Sequence, residues 1–450
     1  MQEVTIIGGG LAGSEAAWQL VSRGITVKLY EMRPTTTTKA HKTGQLAELV
    51  CSNSFRGADL SNAVGLLKEE LRLFNSLIME AAQSAAVPAG GALAVDRDRF
   101  SDFIHSRLTD HPLVTVSHQE IKKLPSYSIT SPLIIATGPL TSPALAKELV
   151  RLTGSEQLAF YDAISPIITI DSIDQSKVFR QSRYMKGDGD DYLNIPLDKE
   201  QYERFVSEVL QAEKFTAHRE IDLEPELDLR PFEGCMPIED MIERGPETLR
   251  FGPFKPVGLT DPNTGRQPHA VCQLRQDNKE GTLWSMVGVQ TRMKHPEQLR
   301  IFRDLPGLEK AEFVRLGSMH RNTFLNSPRC IAPTLQFREY PGLFIAGQIS
   351  GVEGYVESTA GGLTAGINCA RLLEEKNLIT FPRTTALGGL AHYISDPTRK
   401  EFQPMNISFG LIDTYFDSTS KKLPKKERRM QTSRRALEIL KQLKSDEQVN

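Results

Sequence analysis

Three groups of residues in this sequence have types and spacings suited to chemistry. The first is Gly8-Gly9-Gly10-Leu11-Ala12-Gly13, in which Gly8, Gly10 and Gly13 keep the G-x-G-x-x-G spacing. In that spacing the first glycine permits a tight turn, the second admits a pyrophosphate, and the third lets strand and helix pack closely. Glu31, roughly 20 residues further on, is placed to accept hydrogen bonds from an adenosine ribose and would repel a ribose 2′-phosphate. The second group is Cys51, within Glu48 to Ser54, and Cys235, within Arg230 to Pro237, both in polar or turn-rich settings. A thiolate is a nucleophile, and its thiol can carry a proton. Cys272, Cys330 and Cys369 lie among apolar or small residues and read as small buried hydrophobes. The third group is Gly351 to Ser358 leading into Thr359 to Gly366, small residues that suit a helix whose N-terminus faces a ring that gains negative charge.

The elements that must position these groups are legible around them. Val4 to Ile7 is a short apolar strand, Ser14 to Val21 has small and apolar residues at helical spacing, and Gly24 stops that helix. Thr26 to Tyr30 is a second strand closed by Glu31, so residues 1–31 form one βαβ unit. Ser131 to Gly138 and Leu343 to Gly347 are two further strands running into glycine turns, and they read as members of one sheet. The stretch between them, rich in polar residues, proline and isolated glycine, does not continue a parallel sheet. The expected fold is α/β: a doubly wound Rossmann-type domain built from residues 1–163 and 317–450, with an inserted α+β domain over 164–316 and a C-terminal helical tail.

An N-terminal motif joined by Gly138 and Gly347 resembles flavoproteins with two dinucleotide folds, which implies FAD rather than NAD. There is no second G-x-G-x-x-G, so NADH or NADPH is expected to reach a flavin without a nucleotide fold of its own.

Composition bounds the class. Of 450 residues, 39% are hydrophobic and 24% charged, and no apolar run approaches the roughly 20 residues of a membrane span. The N-terminus enters a strand directly, without a signal-peptide pattern, and the five cysteines are far apart with no C-x-x-C spacing for zinc or redox exchange. A cytoplasmic protein with reduced thiols, no bound metal and no membrane association is expected. A net charge of −2 argues against a non-specific coat on nucleic acid. Local basic patches remain, the clearest between Lys421 and Lys444, readable as a solvated helix or as a polyanion contact.

Beyond these motifs the chain closely resembles the TrmFO family, the folate- and FAD-dependent tRNA uracil-5-methyltransferases of bacteria, over nearly its whole length. Besides the glycine motif and both cysteine segments, the resemblance is carried by Phe251 to Leu259, Gln273 to Asn278, Met319 to Phe324 and Gly347 to Gly366. It implies transfer of a one-carbon unit from 5,10-methylenetetrahydrofolate to C5 of the T-loop uridine of tRNA, with electrons from reduced FAD and no obligate protein partner. In that reading Gly8, Gly9, Gly10, Leu11, Ala12, Gly13, Glu31, Gly138, Gly347, Tyr355 and Gly362 are expected at the cofactor, and His320 at the folate pterin. Cys235, with Arg230 favouring its thiolate, becomes the nucleophile at uracil C6 and Cys51 the proton-transfer partner; the opposite assignment stays open. Arg183, Lys186, Arg292 and Lys294 are candidates for the tRNA surface. The competing readings are a wobble-uridine flavoprotein of the carboxymethylaminomethyl type, expected to carry a longer C-terminal helical extension, a non-catalytic FAD-stabilised tRNA-binding protein, and a simple oxidoreductase.

Overall fold

The computed structural model describes all residues except 1, 39, 155–157, 216–235, 400, 415–422 and 448–450; the side chains of 158–162 and 319–321 also lie outside it. Cys235 and Arg230 therefore lie outside the described residues.

Glu3–Ile7 and Thr26–Glu31 pair in parallel, Ile7 opposite Tyr30, and the helix Leu11–Val21 crosses between them before Gly24 turns the chain at φ +77°. The finished sheet has the order Val114–His118, Thr26–Glu31, Glu3–Ile7, Leu133–Ile135, Leu343–Ile345, with every pair parallel. The two later strands expected in one sheet are direct neighbours, Leu343 opposite Leu133. The order in which strands are added reverses beside Glu3–Ile7, and the crevice at the carboxyl ends there is where doubly wound folds bind ligands.

The helix Tyr355–Leu373 packs along Leu11–Val21. A methyl group on Gly362 would sit 2.2 Å from the Ala12 carbonyl oxygen, and one on Gly366 would sit 2.9 Å from that of Ala16. Absent side chains at these positions let the two backbones meet.

A second sheet is wholly antiparallel, in the order Phe179–Arg180, Tyr192–Leu197, Ala270–Gln276, Leu283–Met286, Ile167–Thr169, Phe313–Arg315. Its own core gathers Phe205, Phe254, Trp284 and Phe302. The helix Lys199–Gln211, started by an Asp198–Gln201 capping box, belongs to the same core through Tyr202, Phe205, Val206 and Val209. The chain passes between the two bodies through a two-stranded antiparallel ribbon, Leu158–Ala163 with Met319–Phe324. A small sheet of Ser54–Gly57, Ala92–Val95 and Ala86–Val87 lies between them. Buried Asn53 ties it across, its amide donating to the carbonyls of Val95 (3.0 Å) and Gln276 (2.9 Å).

The basic helix Lys425–Asp446 packs on Ala63–Leu73, with Ser433 donating to the Leu60 carbonyl (2.7 Å). Among the described residues no helix is long and apolar enough to cross a membrane.

Candidate functional site

Two clefts meet at the carboxyl end of the parallel sheet. The first, about 970 Å³ with its open mouth, runs from Glu31, Arg33 and Gln119 past the Gly8–Ala12 turn and Thr137–Gly138 to Gly347, Tyr355 and Ser358. Each motif glycine has its own reason. Gly8 sits at φ +104°, and a methyl on it would strike the Ala136 carbonyl at 2.4 Å; one on Gly13 would lie 1.8 Å from the Gly8 carbonyl oxygen. A methyl on Gly10, by contrast, meets nothing within 4 Å and points into open space. Gly10 is the N-cap of the helix Leu11–Val21 and offers no side-chain cap, so the first-turn amides are left for an anion. An unobstructed approach at Gly10 beside uncapped amides fits the pyrophosphate of a dinucleotide.

At the adenosine end, the Glu31 carboxylate accepts from the amide of Gly9 (2.9 Å), and from the amide (3.0 Å) and Nε (2.9 Å) of Arg33. Burial alone would raise its pKa, but Arg33 and the two amides outweigh burial and hold it below the usual carboxylate range, so Glu31 is anionic. Arg33 is itself buried between Glu31 and Glu48 (2.9 Å to each).

The second cleft, about 1300 Å³, contains Cys51 and shares Val50, Pro139, Leu140, Gln348 and Tyr355 with the first. Three arginines hold the turn that carries Cys51. Arg97 donates to the carbonyls of Leu49 (2.7 Å) and Cys51 (3.2 Å) and pairs with Asp277 (3.0 Å). Arg315 donates to the carbonyls of Val50 (3.2 Å) and Cys51 (2.8 Å), and Arg275 donates to Asn53 (3.0 Å) and Ser52 (2.9 Å). From the other side the Tyr355 hydroxyl accepts the backbone amides of Cys51 (2.9 Å) and Ser52 (3.1 Å). Burial, and then the neighbouring Arg97, push the Arg315 pKa down to about 10, which leaves it charged at neutral pH. The result is a thiol that lies 3.9 Å from the Ala163 carbonyl and lines a cleft beside Arg315, a cation with no ion pair among the described residues, a setting that stabilises negative charge formed on a bound substrate. Further round the wall, Arg56 (φ +62°) pairs with fully buried Glu357, and Lys68 donates to the carbonyls of Arg56 (3.0 Å) and Gly57 (2.7 Å).

The structure brings Gly8, Gly10, Leu11, Ala12, Glu31, Gly138, Gly347 and Tyr355 into the first cleft, and Tyr355 also faces Cys51. Gly9 and Gly13 shape the turn from behind, while Gly362 faces Ala12 in the helix contact rather than the cleft. His320 is placed only by its backbone, opposite Asp162 in the ribbon. Cys272 and Cys369 are fully buried, the former thiol pushed up to about 12 by burial, and Cys330 donates to the Asn326 carbonyl (3.3 Å). Of the basic candidates, Arg292 pairs with Asp240 (2.6 Å) and Lys294 with Glu213 (3.1 Å); Arg183 is turned onto the Lys255 carbonyl, and Lys186 is exposed. Sequence reasoning missed Arg33, Arg97, Arg275 and Arg315. The available signal was Arg275, a charge that follows the largely apolar run Ala270 to Leu274 in what proves to be one buried strand.

Comparison with known proteins shows the family and the fold. The family model described as glucose inhibited division protein A matches residues 3–377. A protein of Natranaerobius thermophilus named methylenetetrahydrofolate–tRNA-(uracil-5-)-methyltransferase TrmFO is 56% identical over 437 residues, covering 97% of this chain and 98% of its own. A protein of the same name from Geobacter sulfurreducens is 57% identical over 434 residues, covering 96% and 97%. Among solved structures, GidA of Aquifex aeolicus superimposes with a TM-score of 0.68 at 17% identity, covering 98% of this chain and 73% of that one, a likeness of fold.

Proposed function

The chain belongs to the TrmFO family, within the wider family of glucose inhibited division protein A, and from that premise we propose that it methylates C5 of a uridine in tRNA with carbon from 5,10-methylenetetrahydrofolate. We infer further that the target is the T-loop uridine and that NADH or NADPH supplies the electrons. The observation that carries the reading is the shared wall of the two clefts: Cys51 lines a chamber that has Tyr355 and Gln348 in common with the dinucleotide cleft.

FAD, held along Gly8 to Gly13, Glu31, Gly138 and Gly347, supplies when bound the reducing equivalents that turn a transferred methylene into a methyl group. The chain's own residues do the rest. Uracil C5 is a weak nucleophile until a thiolate adds to C6, which places charge on the base; a second group must then remove the C5 proton. We assign the addition to Cys235 and the proton transfer to Cys51. Arg315 and Arg97 fix the Cys51 turn through its carbonyl and set positive charge where the adduct's charge develops. Tyr355 holds the same turn through two backbone amides and orients it toward the dinucleotide cleft. His320 is assigned to the folate pterin. The target base, stacked and paired in its loop, must be extruded to enter the chamber. The proposed domain division, 1–163 and 317–450 around 164–316, is supported by the antiparallel sheet, whose strands all fall between Ile167 and Arg315.

The deciding experiment supplies purified FAD-loaded protein with unmodified tRNA, labelled methylenetetrahydrofolate and NAD(P)H, and maps the label. Label at C5 of the T-loop uridine, lost in Cys51→Ala and Cys235→Ala, is expected. Absence of label from tRNA with FAD-replete protein would sink the reading.

A further inference from the structure

The segment Phe251 to Leu259, prominent in the sequence, takes no part in either cleft, yet the structure gives it a definite shape. Buried Phe254 stacks on Phe205 (ring centroids 5.2 Å apart) and anchors it, while Phe251 stands 82% exposed and Val257 is also exposed. Beside it, Tyr184 and Met185 occupy consecutive left-handed positions (φ +58° and +53°) and are 60% and 64% exposed. Such backbone is costly and persists only where surrounding structure enforces it. Here the Tyr184 amide donates to the Gly258 carbonyl (3.2 Å) and the Met185 amide to that of Ser182 (3.1 Å), while the Tyr184 ring lies over Gly258. The enforced turn holds an aromatic ring and a thioether out in solvent.

This ridge continues in two directions. Pro253 packs against Gly288, which lines the Cys51 chamber. At the other end Lys186 lies against Gly91, whose carbonyl accepts the Ala58 amide (3.0 Å); the chain there has just left Arg56 on the chamber wall. Leu60 follows and receives the hydroxyl of Ser433 on the basic helix Lys425–Asp446, which carries eight basic and three acidic side chains. Hydrogen bonds from Ser61, and to a lesser extent the charges of Lys426 and Lys186, hold the Asp59 carboxyl below its usual range, so both lysines lie on the side of Asp59. Asp59, Asp188 and Asp190 are exposed in these stretches and the helix adds Glu427, Glu438 and Asp446, which Lys186 and the eight basic side chains of the helix outnumber.

We propose that Tyr184, Met185, Phe251 and Val257 form a stacking platform for unpaired bases of the tRNA, with Lys186 and the basic helix taking its phosphates. The proposal rests on tRNA being the substrate. Extruding one base into the chamber leaves its loop neighbours without stacking partners, and single-stranded RNA is bound by such aromatic faces set among cations.

The test measures affinity of FAD-loaded full-length protein for an unmodified tRNA transcript by fluorescence anisotropy at two salt concentrations. Tyr184→Ala with Phe251→Ala is expected to weaken binding at least about tenfold, from roughly 1–3 kcal/mol per stacked base. Tyr184→Trp is expected to retain binding and Tyr184→Leu to lose it, which separates stacking from a general apolar role. Lys425→Ala with Lys426→Ala is expected to lower the salt dependence by roughly one to two units of slope. FAD content and sedimentation mass should be unchanged in all variants. Wild-type affinity in the double aromatic variant would overturn the platform and leave the tRNA reading standing. A wild-type dimer that the same variant converts to monomer would overturn it in favour of a second copy of the chain. Failure of the wild-type protein itself to bind tRNA would remove both proposals.

Discussion

Replacing Gly10 or Gly13 by alanine adds the same methyl group three residues apart, yet the structure assigns the two changes opposite consequences. At Gly13 the methyl would lie 1.8 Å from the Gly8 carbonyl oxygen, so strand and helix must separate by more than roughly 1 Å, at a cost of about 3 kcal/mol or more even before cofactor binds. At Gly10 the backbone (φ −74°, ψ −169°) already suits alanine and no protein atom lies within 4 Å, so the apoprotein should fold as before. The methyl instead occupies the approach to the helix amides. Losing one charge-assisted bond from amide to phosphate, worth about 1.5–3 kcal/mol, weakens FAD binding roughly 10- to 150-fold. The assay strips FAD, records the melting midpoint of each apoprotein, and titrates FAD back by flavin fluorescence. The expected pattern is an unchanged apo midpoint with weakened binding for Gly10→Ala, and a lowered apo midpoint for Gly13→Ala. Wild-type FAD affinity in Gly10→Ala would refute the placement of the pyrophosphate.

Arg315→Met should retain FAD but lose roughly 100- to 1000-fold in methyl transfer, the usual effect of removing one group that stabilises developing charge; intact turnover would remove Arg315 from the mechanism. Brief iodoacetamide treatment of folded protein should modify Cys51, which faces a cleft, and spare Cys272 and Cys369, which are buried with raised thiol pKa values; peptide mapping reads the result. Glu70 is buried beneath the amides of Ala386 and Leu387 (2.8 Å each), and burial raises its pKa from 4.5 to about 8. The folded state therefore binds this proton more tightly than the unfolded state. The stabilisation is complete below pH 4.5 and is lost as pH rises toward 8, by up to about 1.4 kcal/mol per pH unit. Glu70→Gln, which mimics the neutral carboxyl, should flatten the stability–pH profile across that window, and an unchanged profile would show that Glu70 is not the group responsible.

The dinucleotide half was legible because its signals are local. A strand, a glycine turn, a helix and an acidic strand end lie within residues 3–31, and each glycine's role follows from backbone sterics. The chamber was only half legible. Cys51 stood out by its polar surroundings, but Arg97, Arg275 and Arg315 come from three distant segments and meet only when the antiparallel sheet docks beside the small sheet through Asn53. No spacing rule links them. Gly362 shows the converse: its small size suited a flavin contact and equally a close helix contact, and only packing against Ala12 decides between the two. Arg292 and Lys294 looked like free surface charges because their carboxylate partners, Asp240 and Glu213, are more than 50 residues away in sequence.

The pairing of Leu133–Ile135 with Leu343–Ile345 has a consequence for the protein's birth on the ribosome. About 210 residues separate the two strands, which at roughly 5–20 residues per second is some 10–40 s of synthesis. During that interval the parallel sheet shows an open flank of fully buried-type residues, Leu133, Ile134 and Ile135, while the whole antiparallel body is being made. The nascent chain thus spends much of its synthesis with its nucleotide-binding half unfinished and a sticky β edge available to chaperones or to neighbouring chains on the same message.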